Sequence, residues 1–393
     1  MHLAIVSPFP PTITGIGQYG YHVTRALVKS GAFARVSVLA GSPANGSAPN
    51  HLGNTEIDYC WAPGQWQART AILSRVKRLN PDLVWFNLGA SIFGKSPWTN
   101  LSGLLTPLFA RQMGIPTVVT LHELVELTDL QALDAPGGPF ALMGARLLTN
   151  ITTQADITCL TMRHYADLLA TRQVDCTHIP IGAYHEPELL PEFDAQELLF
   201  FTTLAPFKGL ELLLEAFQLL HLEYPNLKLT IAGTEHARFP HYARDLNERY
   251  KNTAGIHWLG QIIEDEVVEL FRRAKIVVLP YTASTGSSSV LYQAATWGRS
   301  VVASDLNEIR ELVSESDLQV KFFKNGDVAS LCDSIRQMLD SPGKRYNQTT
   351  HNFHAIQHTR PSETCGKYIK AFNRALEKRR SPKRIQIIEK QPV

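Results

Sequence analysis

The amino-acid sequence predicts an α/β protein with two Rossmann-like, parallel-sheet domains that face a central cleft. Short apolar segments of strand character alternate with segments of helical periodicity along both halves of the chain. A stretch from about Pro180 to Glu197, which contains several prolines and acidic residues and shows no periodicity, separates the halves. The length of 393 residues also suits two domains.

The composition is that of an ordinary globular protein. Apolar residues make up 44% of the chain and charged residues 19%, which excludes wholesale disorder. The formal net charge of +2 provides no overall field for nucleic acid, so no nucleic-acid partner is expected. The five cysteines are odd in number and widely spaced, a pattern typical of reduced cytosolic thiols rather than of disulfides or a zinc site. No signal peptide or membrane span is predicted, and we therefore expect a cytoplasmic protein.

Elements of the first half follow from local patterns. The run Leu3–Val6 is apolar and ends before Pro8, as expected of a strand buried on both faces. Between Gln18 and Ser30 the apolar residues repeat at helical spacing, and Gly31 ends the helix. The same reasoning predicts strands at Leu3–Val6, Val36–Leu39, Leu83–Phe86, Thr117–Leu121 and Ile157–Leu160, and helices at Gln18–Ser30, Gln67–Leu79, about Leu101–Met113, about Phe140–Thr153 and His164–Thr171.

The second half repeats the alternation after the proline-rich stretch. Its predicted strands are Leu198–Thr202, Leu227–Ala232, Ile256–Leu259, Ile276–Leu279 and Ser300–Ala303, and its predicted helices are Leu210–Glu223, His241–Tyr250, Glu264–Arg273, Ser288–Trp297, Val328–Leu339 and Glu363–Arg379. We accordingly predict domains at residues 1–184 and 185–362, a final helix at 363–379 and a flexible basic tail at 380–393. Open α/β sheets bind ligands at the carboxyl ends of their strands, so the cleft is the expected site.

The segment Gly15-Ile16-Gly17-Gln18-Tyr19-Gly20 matches the dinucleotide fingerprint, which raises the alternative of an oxidoreductase. In that fingerprint the first glycine directly follows the strand, and an acidic residue ends the second strand. Here Ser7–Thr14 intervenes, and the second strand is followed by Gly41-Ser42. What remains is a glycine-rich loop at a helix start, which favours binding of an anion.

A second anion-binding helix start is predicted in the C-terminal half. There a strand leads into Gly286, Ser287, Ser288 and Ser289, and the N–H groups of these residues are open to a phosphate. Lys208 follows the first strand of the same half and adds a cation. Two such helix starts and a lysine on opposite walls of one cleft would suit a ligand that carries a diphosphate.

These motifs resemble those of the GT-B glycosyltransferases, and specifically of the retaining family 4 enzymes, over about residues 2–375. The resemblance rests on Thr14–Tyr19, Val119–Glu123, Leu204–Leu210 and the long segment Thr285–Ser304. It implies the GT-B fold, with the final helix crossing back to pack on the N-terminal domain. It also implies transfer of a sugar from a nucleotide-diphosphate-sugar donor to an acceptor hydroxyl, with retention of configuration and without a metal or other cofactor.

The resemblance assigns roles to individual residues. Lys208 would neutralise the donor diphosphate, and His122 would lie in the cleft close to the reacting sugar carbon, so these two are the expected catalytic residues. Glu123 is expected on the acceptor side. The expected diphosphate-binding residues are Gly15, Gly17, Lys208, Gly286, Ser287, Ser288 and Ser289.

The chain departs from the family pattern at the donor site. The family has two glutamates separated by seven residues, where this sequence has Thr285 and Gln293. Gln293 can still accept a hydrogen bond from ribose, whereas Thr285 cannot supply a carboxylate charge near the sugar. An arginine that precedes the family's lysine is also absent, with Thr203 and Ala205 in its place. A variant donor site is therefore expected, and a non-catalytic sugar-nucleotide-binding or partner subunit and a nucleotide-sugar epimerase remain alternatives.

The acceptor is expected to be a glycan, a lipid-linked molecule or a small molecule. Basic residues near Arg69, Arg75 and Arg78, together with the basic tail, allow peripheral contact with an anionic inner membrane face. They do not require it, because the same helix carries an ordinary apolar stripe. Neither the nucleobase nor the sugar of the donor follows from the sequence.

Overall fold

A computed structural model describes residues 1–42, 51–53, 55–133, 138–194, 196–284 and 286–380 of the chain. Thr285 and most of the basic tail, from residue 381 onward, therefore lie outside the described residues. The described chain forms two sheets, one of eight strands in the N-terminal half and one of six in the C-terminal half.

The N-terminal sheet is parallel except at one edge. Its strands are β1 (His2–Ser7), β2 (Arg35–Gly41), β3 (His51–Leu52), β4 (Thr55–Trp61), β5 (Leu83–Leu88), β6 (Thr117–Leu121), β7 (Ile157–Leu160) and β8 (Cys176–His178). Its helices are α1 (Gly15–Lys29), α2 (Ala68–Leu79), α3 (Pro97–Leu104), α4 (Thr106–Gln112), α5 (Pro139–Thr152) and α6 (Arg163–Thr171). The strand order is β3-β4-β2-β1-β5-β6-β7-β8, with only the β3–β4 pair antiparallel.

The C-terminal sheet is parallel throughout its described pairs. Its strands are β9 (Glu197–Phe201), β10 (Lys228–Ala232), β11 (Ile256–Gly260), β12 (Ile276–Leu279), β13 (Ser300–Ser304) and β14 (Lys321–Phe323). The helices of this half are α7 (Leu210–Glu223), α8 (Tyr242–Tyr250), α9 (Glu264–Arg273), α10 (Ser289–Thr296), α11 (Asn307–Glu315), α12 (Val328–Leu339), α13 (Pro342–Ile356) and α14 (Pro361–Arg380). The strand order is β11-β10-β9-β12-β13-β14.

In each sheet, the order of the strands changes direction at the first strand of that sheet. In the N-terminal sheet β1 pairs with β2 on one side and with β5 on the other. In the C-terminal sheet β9 lies in the same way between β10 and β12. Ligands bind at the carboxyl ends of strands next to such reversals, because the connections leave in opposite directions and open a crevice. The loops that follow β1 and β9 therefore border the expected sites.

The structure differs from the sequence prediction in several elements. The single helix expected near Leu101–Met113 is two helices, because Pro107 in the first turn of α4 has no N–H for a continuous helix. The strand β4 was not predicted, since Glu56 and Asp58 interrupt its apolar pattern on the more exposed face. The elements β3, β8, β14, α11 and α13 were also not predicted.

The final helix α14 packs against α1, β6 and β7 of the N-terminal half, as the resemblance implied. Its Tyr368 is fully buried, and its hydroxyl lies 2.7 Å from that of Tyr19 and 2.8 Å from Oγ1 of Thr120. Near the end of the helix, Arg374 pairs with Asp175. The chain thus crosses from the C-terminal half back to the first domain. None of the described helices, α14 included, is both long and apolar enough to cross a membrane.

Candidate active site

A cavity of about 230 Å³ lies between the two halves, at the carboxyl ends of β1 and β9. It brings together most of the predicted donor-binding residues, although they come from distant parts of the chain. The predicted residues in its lining are Gly15, Lys208, Ser287, Ser288, Ser289 and Gln293.

The N-terminal wall of the cavity contains the start of α1. Thr14 caps this helix, and its Oγ1 accepts a hydrogen bond of 3.0 Å from the N–H of Gly17. Gly17 is not part of the cavity lining, and a Cβ there would lie 2.9 Å from Oγ1 of Thr14. Its N–H is therefore not the open anion donor that the sequence predicted. The N–H groups of Gly15 and Ile16 remain at the helix start, where intrahelical acceptors are absent.

The C-terminal wall contains the start of α10. Ser288 is its capping residue in an extended conformation, but the side chain makes no capping hydrogen bond. Ser288 is 9% exposed, and its Oγ has no hydrogen-bond partner among the described residues. Buried hydroxyl groups normally have partners, so an unpaired one beside the cavity favours a polar ligand there. The dipole of α10 favours a negatively charged one.

Lys208 is held at the cavity by a tight turn after β9. The turn ends at Gly209, whose φ is +68° and at which a Cβ would lie 1.8 Å from the carbonyl oxygen of Pro280. Only glycine fits there, which fixes the path of the backbone beside Lys208. The Nζ atom of Lys208 lies 3.9 Å from the ring centroid of Tyr281. Among the described residues, no carboxylate lies within ion-pair distance of Lys208, so its charge is available to an anionic ligand.

The two sequence departures have different structural outcomes. Gln293 is 7% exposed and lines the cavity, so a neutral amide occupies the place of the family's second glutamate. Thr285 lies outside the described residues. Thr203 lines the cavity and Ala205 is fully buried, and neither supplies the cation that the family's arginine would.

His122 follows β6 and lies outside the cavity lining. Its Nε2 is 2.6 Å from Oδ1 of Asn87. The amide nitrogen of Asn87 donates to the carbonyl oxygen of Ile16 and to Oγ of Ser7, each at 2.9 Å. A carbonyl only accepts, so Oδ1 of Asn87 is an acceptor and Nε2 of His122 carries the proton. Nδ1 is therefore the unprotonated nitrogen of a neutral His122.

The surroundings of His122 keep the ring neutral. Burial lowers the pKa of His122 to about 3, because little water remains to solvate an imidazolium ion. The ring also packs edge-on against Tyr19, with centroids 4.8 Å apart. A neutral ring with a bare Nδ1 can accept a hydrogen bond from a hydroxyl group, but it cannot serve as a cation near neutral pH.

The main chain at His122 touches the opposite domain. Gly286 has a φ of +150°, and a Cβ there would lie 2.5 Å from the carbonyl oxygen of His122. Gly286 itself is outside the cavity lining. Glu123 is also outside it, and its Oε1 accepts a hydrogen bond of 3.0 Å from the N–H of Ala90. Glu123 therefore holds the loop after β5, a structural role that the sequence did not suggest.

Several residues of the site were not predicted from the sequence. Asn87 was detectable, since it is an amide within the apolar run Leu83–Leu88 and is fully buried. His22 and Glu264 line the cavity and, with His185, form the group of potential metal ligands in the described part of the chain. They carried no sequence signal, because they are brought together only by the packing of the two halves.

Comparison with known proteins identifies the two halves. Residues 14–182 match the family model described as "Glycosyl transferase 4-like domain", and residues 195–341 match the model described as "Glycosyl transferases group 1". Phosphatidyl-myo-inositol mannosyltransferase of Propionibacterium freudenreichii is 26% identical over 138 residues, 35% of this chain and 33% of that protein. The protein of the same name from Mycolicibacterium smegmatis is 28% identical over 113 residues, 28% of each chain. The matches thus span about a third of the length of these curated relatives.

Solved structures show the same fold at low sequence identity. Sucrose-phosphate synthase from Thermosynechococcus elongatus is 14% identical, with a TM-score of 0.73 over 96% of this chain and 100% of that one. HepE from Anabaena in complex with UDP-glucose is 14% identical, with a TM-score of 0.69 over 95% and 99%. With a 4-like domain followed by a group 1 domain on this fold, the chain belongs to the GT-B glycosyltransferases related to family 4.

Proposed function

We propose that this protein transfers a sugar from a nucleotide-diphosphate-sugar donor to an acceptor hydroxyl, with retention of anomeric configuration and without a metal ion in the chemical step. The main support for this proposal is a single cavity that residues of both domains line. One space between the domains is lined by the start of α1, by Lys208 and by the serines at the start of α10. Each of these groups favours negative charge, and they come from both walls.

The cavity chemistry suits departure of a nucleoside diphosphate. As the bond to the sugar breaks, negative charge grows on the diphosphate oxygens, and donors already aimed at those oxygens lower the barrier. Lys208 supplies a full positive charge, while the first N–H groups of α10 supply oriented dipoles. Closure of the domains over the donor would exclude water, which competes with the acceptor.

We propose uridine diphosphate as the leading candidate for the nucleotide of the donor. HepE, which shares the fold, has been solved with UDP and with UDP-glucose. Gln293 would accept a hydrogen bond from a ribose hydroxyl. Because the curated relatives are named mannosyltransferases and match only in part, GDP and ADP sugars belong in the same screen.

Replacing Lys208 by alanine is expected to weaken donor binding about 10- to 100-fold, since a charge-assisted hydrogen bond contributes about 1.5–3 kcal/mol. A thermal-shift screen of UDP, GDP, ADP and their sugars first identifies the donor, because a ligand of the folded state raises the unfolding temperature. Calorimetric titration of that donor into wild-type and Lys208→Ala protein then measures the change.

Lys228→Ala is the matched control for this experiment. Lys228 is an exposed lysine at the opposite end of the same sheet, in the first position of β10, and its loss is expected to leave donor affinity unchanged. Equal donor affinity in wild-type and Lys208→Ala protein would contradict the assignment of the diphosphate site. NMR of the first product formed tests retention, and an inverted anomer would refute that part of the proposal.

A non-catalytic sugar-nucleotide-binding subunit is the second candidate. It is favoured by Gln293, which places a neutral amide in the cavity where the family has a carboxylate. Measurement of turnover distinguishes the two candidate functions. Donor binding without transfer or hydrolysis across glycan, lipid-linked and small-molecule acceptors would support the second candidate over the first.

We propose that the unprotonated Nδ1 of His122 contacts the donor sugar. We expect His122→Ala to lower the turnover rate by about 10- to 100-fold, because a positioned hydrogen bond to a reacting group is lost, while donor affinity changes less than threefold. Rapid-quench turnover and calorimetric titration give the two quantities. His257→Ala, which removes an exposed histidine of β11, serves as the control.

The protonation state of His122 gives a second readout of the same prediction. Because burial lowers its pKa to about 3, the protonated form should not appear between pH 5 and pH 8. Nitrogen-15 NMR of the imidazole is expected to show the Nε2–H tautomer across that range. Unchanged turnover in His122→Ala would remove His122 from the reacting centre, and an Nδ1–H tautomer would contradict its bond to Asn87.

We further propose peripheral contact with an anionic membrane through the N-terminal domain, which would suit a lipid-linked acceptor. Helix α5 packs against α3 and α4 yet leaves large apolar side chains in solvent. Trp98 on α3 is 76% exposed, and Phe140 and Met143 on α5 are 85% and 65% exposed. The exposed Arg146 on α5 supplies positive charge beside them. Apolar side chains next to basic ones are typical of helices that lie in a membrane interface.

Replacing Phe140 and Met143 together by serine is expected to reduce binding to vesicles of phosphatidylglycerol at least fivefold, because the buried apolar area is lost. Co-sedimentation with phosphatidylglycerol and with phosphatidylcholine vesicles measures the effect and its dependence on lipid charge. Leu222→Ser is the control, since Leu222 is 81% exposed on α7 of the other domain. Equal sedimentation of the double variant and wild type would refute this membrane surface.

A further inference from the structure

Three potential metal ligands meet at the edge of the cavity. His22 comes from α1, His185 from the segment between the two sheets, and Glu264 is the first residue of α9. Their ligand atoms all lie within 4.8 Å of one another. The imidazole and carboxylate groups that meet here thus come from three separate segments of the chain and from both domains.

Both histidines of this cluster approach the same carboxylate oxygen. Nε2 of His185 lies 2.9 Å from Oε1 of Glu264 and forms a hydrogen bond with it. Nε2 of His22 lies 3.0 Å from the same oxygen. His22 is 6% exposed and stacks on Tyr184 with ring centroids 4.4 Å apart. Two imidazole nitrogens and one carboxylate oxygen therefore converge at a largely buried point.

We propose that His22, His185 and Glu264 bind a divalent transition-metal ion of the zinc class at the interface between the domains. Two imidazole nitrogens and one carboxylate oxygen form a donor set that Zn²⁺ uses, whereas Mg²⁺ and Ca²⁺ prefer oxygen ligands. Each histidine Nε2 lies about 3 Å from Oε1 of Glu264, and all three ligand atoms lie within 4.8 Å of one another. A common ion about 2.0–2.2 Å from each would draw the three side chains slightly closer around it. Binding through Nε2 requires each ring to carry its proton on Nδ1.

The ion would act on the arrangement of the domains rather than on the sugar transfer itself. It would join α1 of the first domain to α9 of the second, and His22 and Glu264 also line the donor cavity. Bound metal therefore stabilises the apposed domains by mass action, since separated domains lose the complete ligand set. This inference does not depend on which donor or acceptor the protein uses.

Metal titration of the full-length protein tests the site. After treatment with a chelator, we expect wild-type protein to bind one equivalent of Zn²⁺ against a chromophoric competitor, and Co²⁺ to give the visible absorption of an imidazole-bound ion. His22→Gln and Glu264→Gln should each lower Zn²⁺ affinity at least 100-fold, because two remaining ligands hold the ion poorly. Zn²⁺ should also raise the unfolding temperature of wild type but not of these variants.

His164→Gln is the matched control. His164 on α6 pairs with Glu311 on α11 across the same interface, with Nδ1 2.7 Å from Oε2, but that pair is not among the three-ligand groups of the described chain. This variant should bind Zn²⁺ as wild type does. Circular dichroism confirms that each variant is folded before titration. Wild-type affinity no higher than that of His22→Gln, or an equal loss in His164→Gln, would overturn the proposal.

Discussion

The carboxyl ends of the two sheets lie close together, and this contact between the domains forms the cavity. Gly286 of the second domain approaches the carbonyl oxygen of His122 in the first, and a side chain at that position would not fit. The N–H of Arg163 donates to Glu315 across the same interface at 2.8 Å. Helix α14 carries the end of the chain back onto the first domain and anchors it there through Tyr368. Without this apposition the cavity would have only one wall.

The protein is nearly neutral overall, yet its cavity has the features of an anion-binding site. The chain has 38 basic and 36 acidic residues, so no long-range field concentrates anions at the cleft. The attraction is local, since it comes from helix starts on both walls and from one lysine without a described carboxylate partner. The neutral His122 fits this arrangement, because a protonated imidazole would have to give up much of its hydration there.

Much of the fold and part of the site could be predicted from the sequence, because both depend on local pattern. Buried parallel strands appear as short apolar runs, and the loops after β1 and β9 place Gly15 and Lys208 at the cavity. Helix capping is also local, but it changes the role that the motif assigns to one glycine. Gly17 matched the motif, yet Thr14 takes up its N–H. His22 and Glu264 lie more than 240 positions apart, and only domain packing brings them together.

We propose that a donor diphosphate binds between the start of α10 and Lys208. A crystal structure of the protein with the nucleoside diphosphate that it binds is the decisive experiment. We expect diphosphate oxygens within hydrogen-bond distance of Nζ of Lys208 and of the N–H groups of Ser288 and Ser289. A diphosphate bound elsewhere, with Lys208 still over the ring of Tyr281 and free of phosphate contacts, would contradict it.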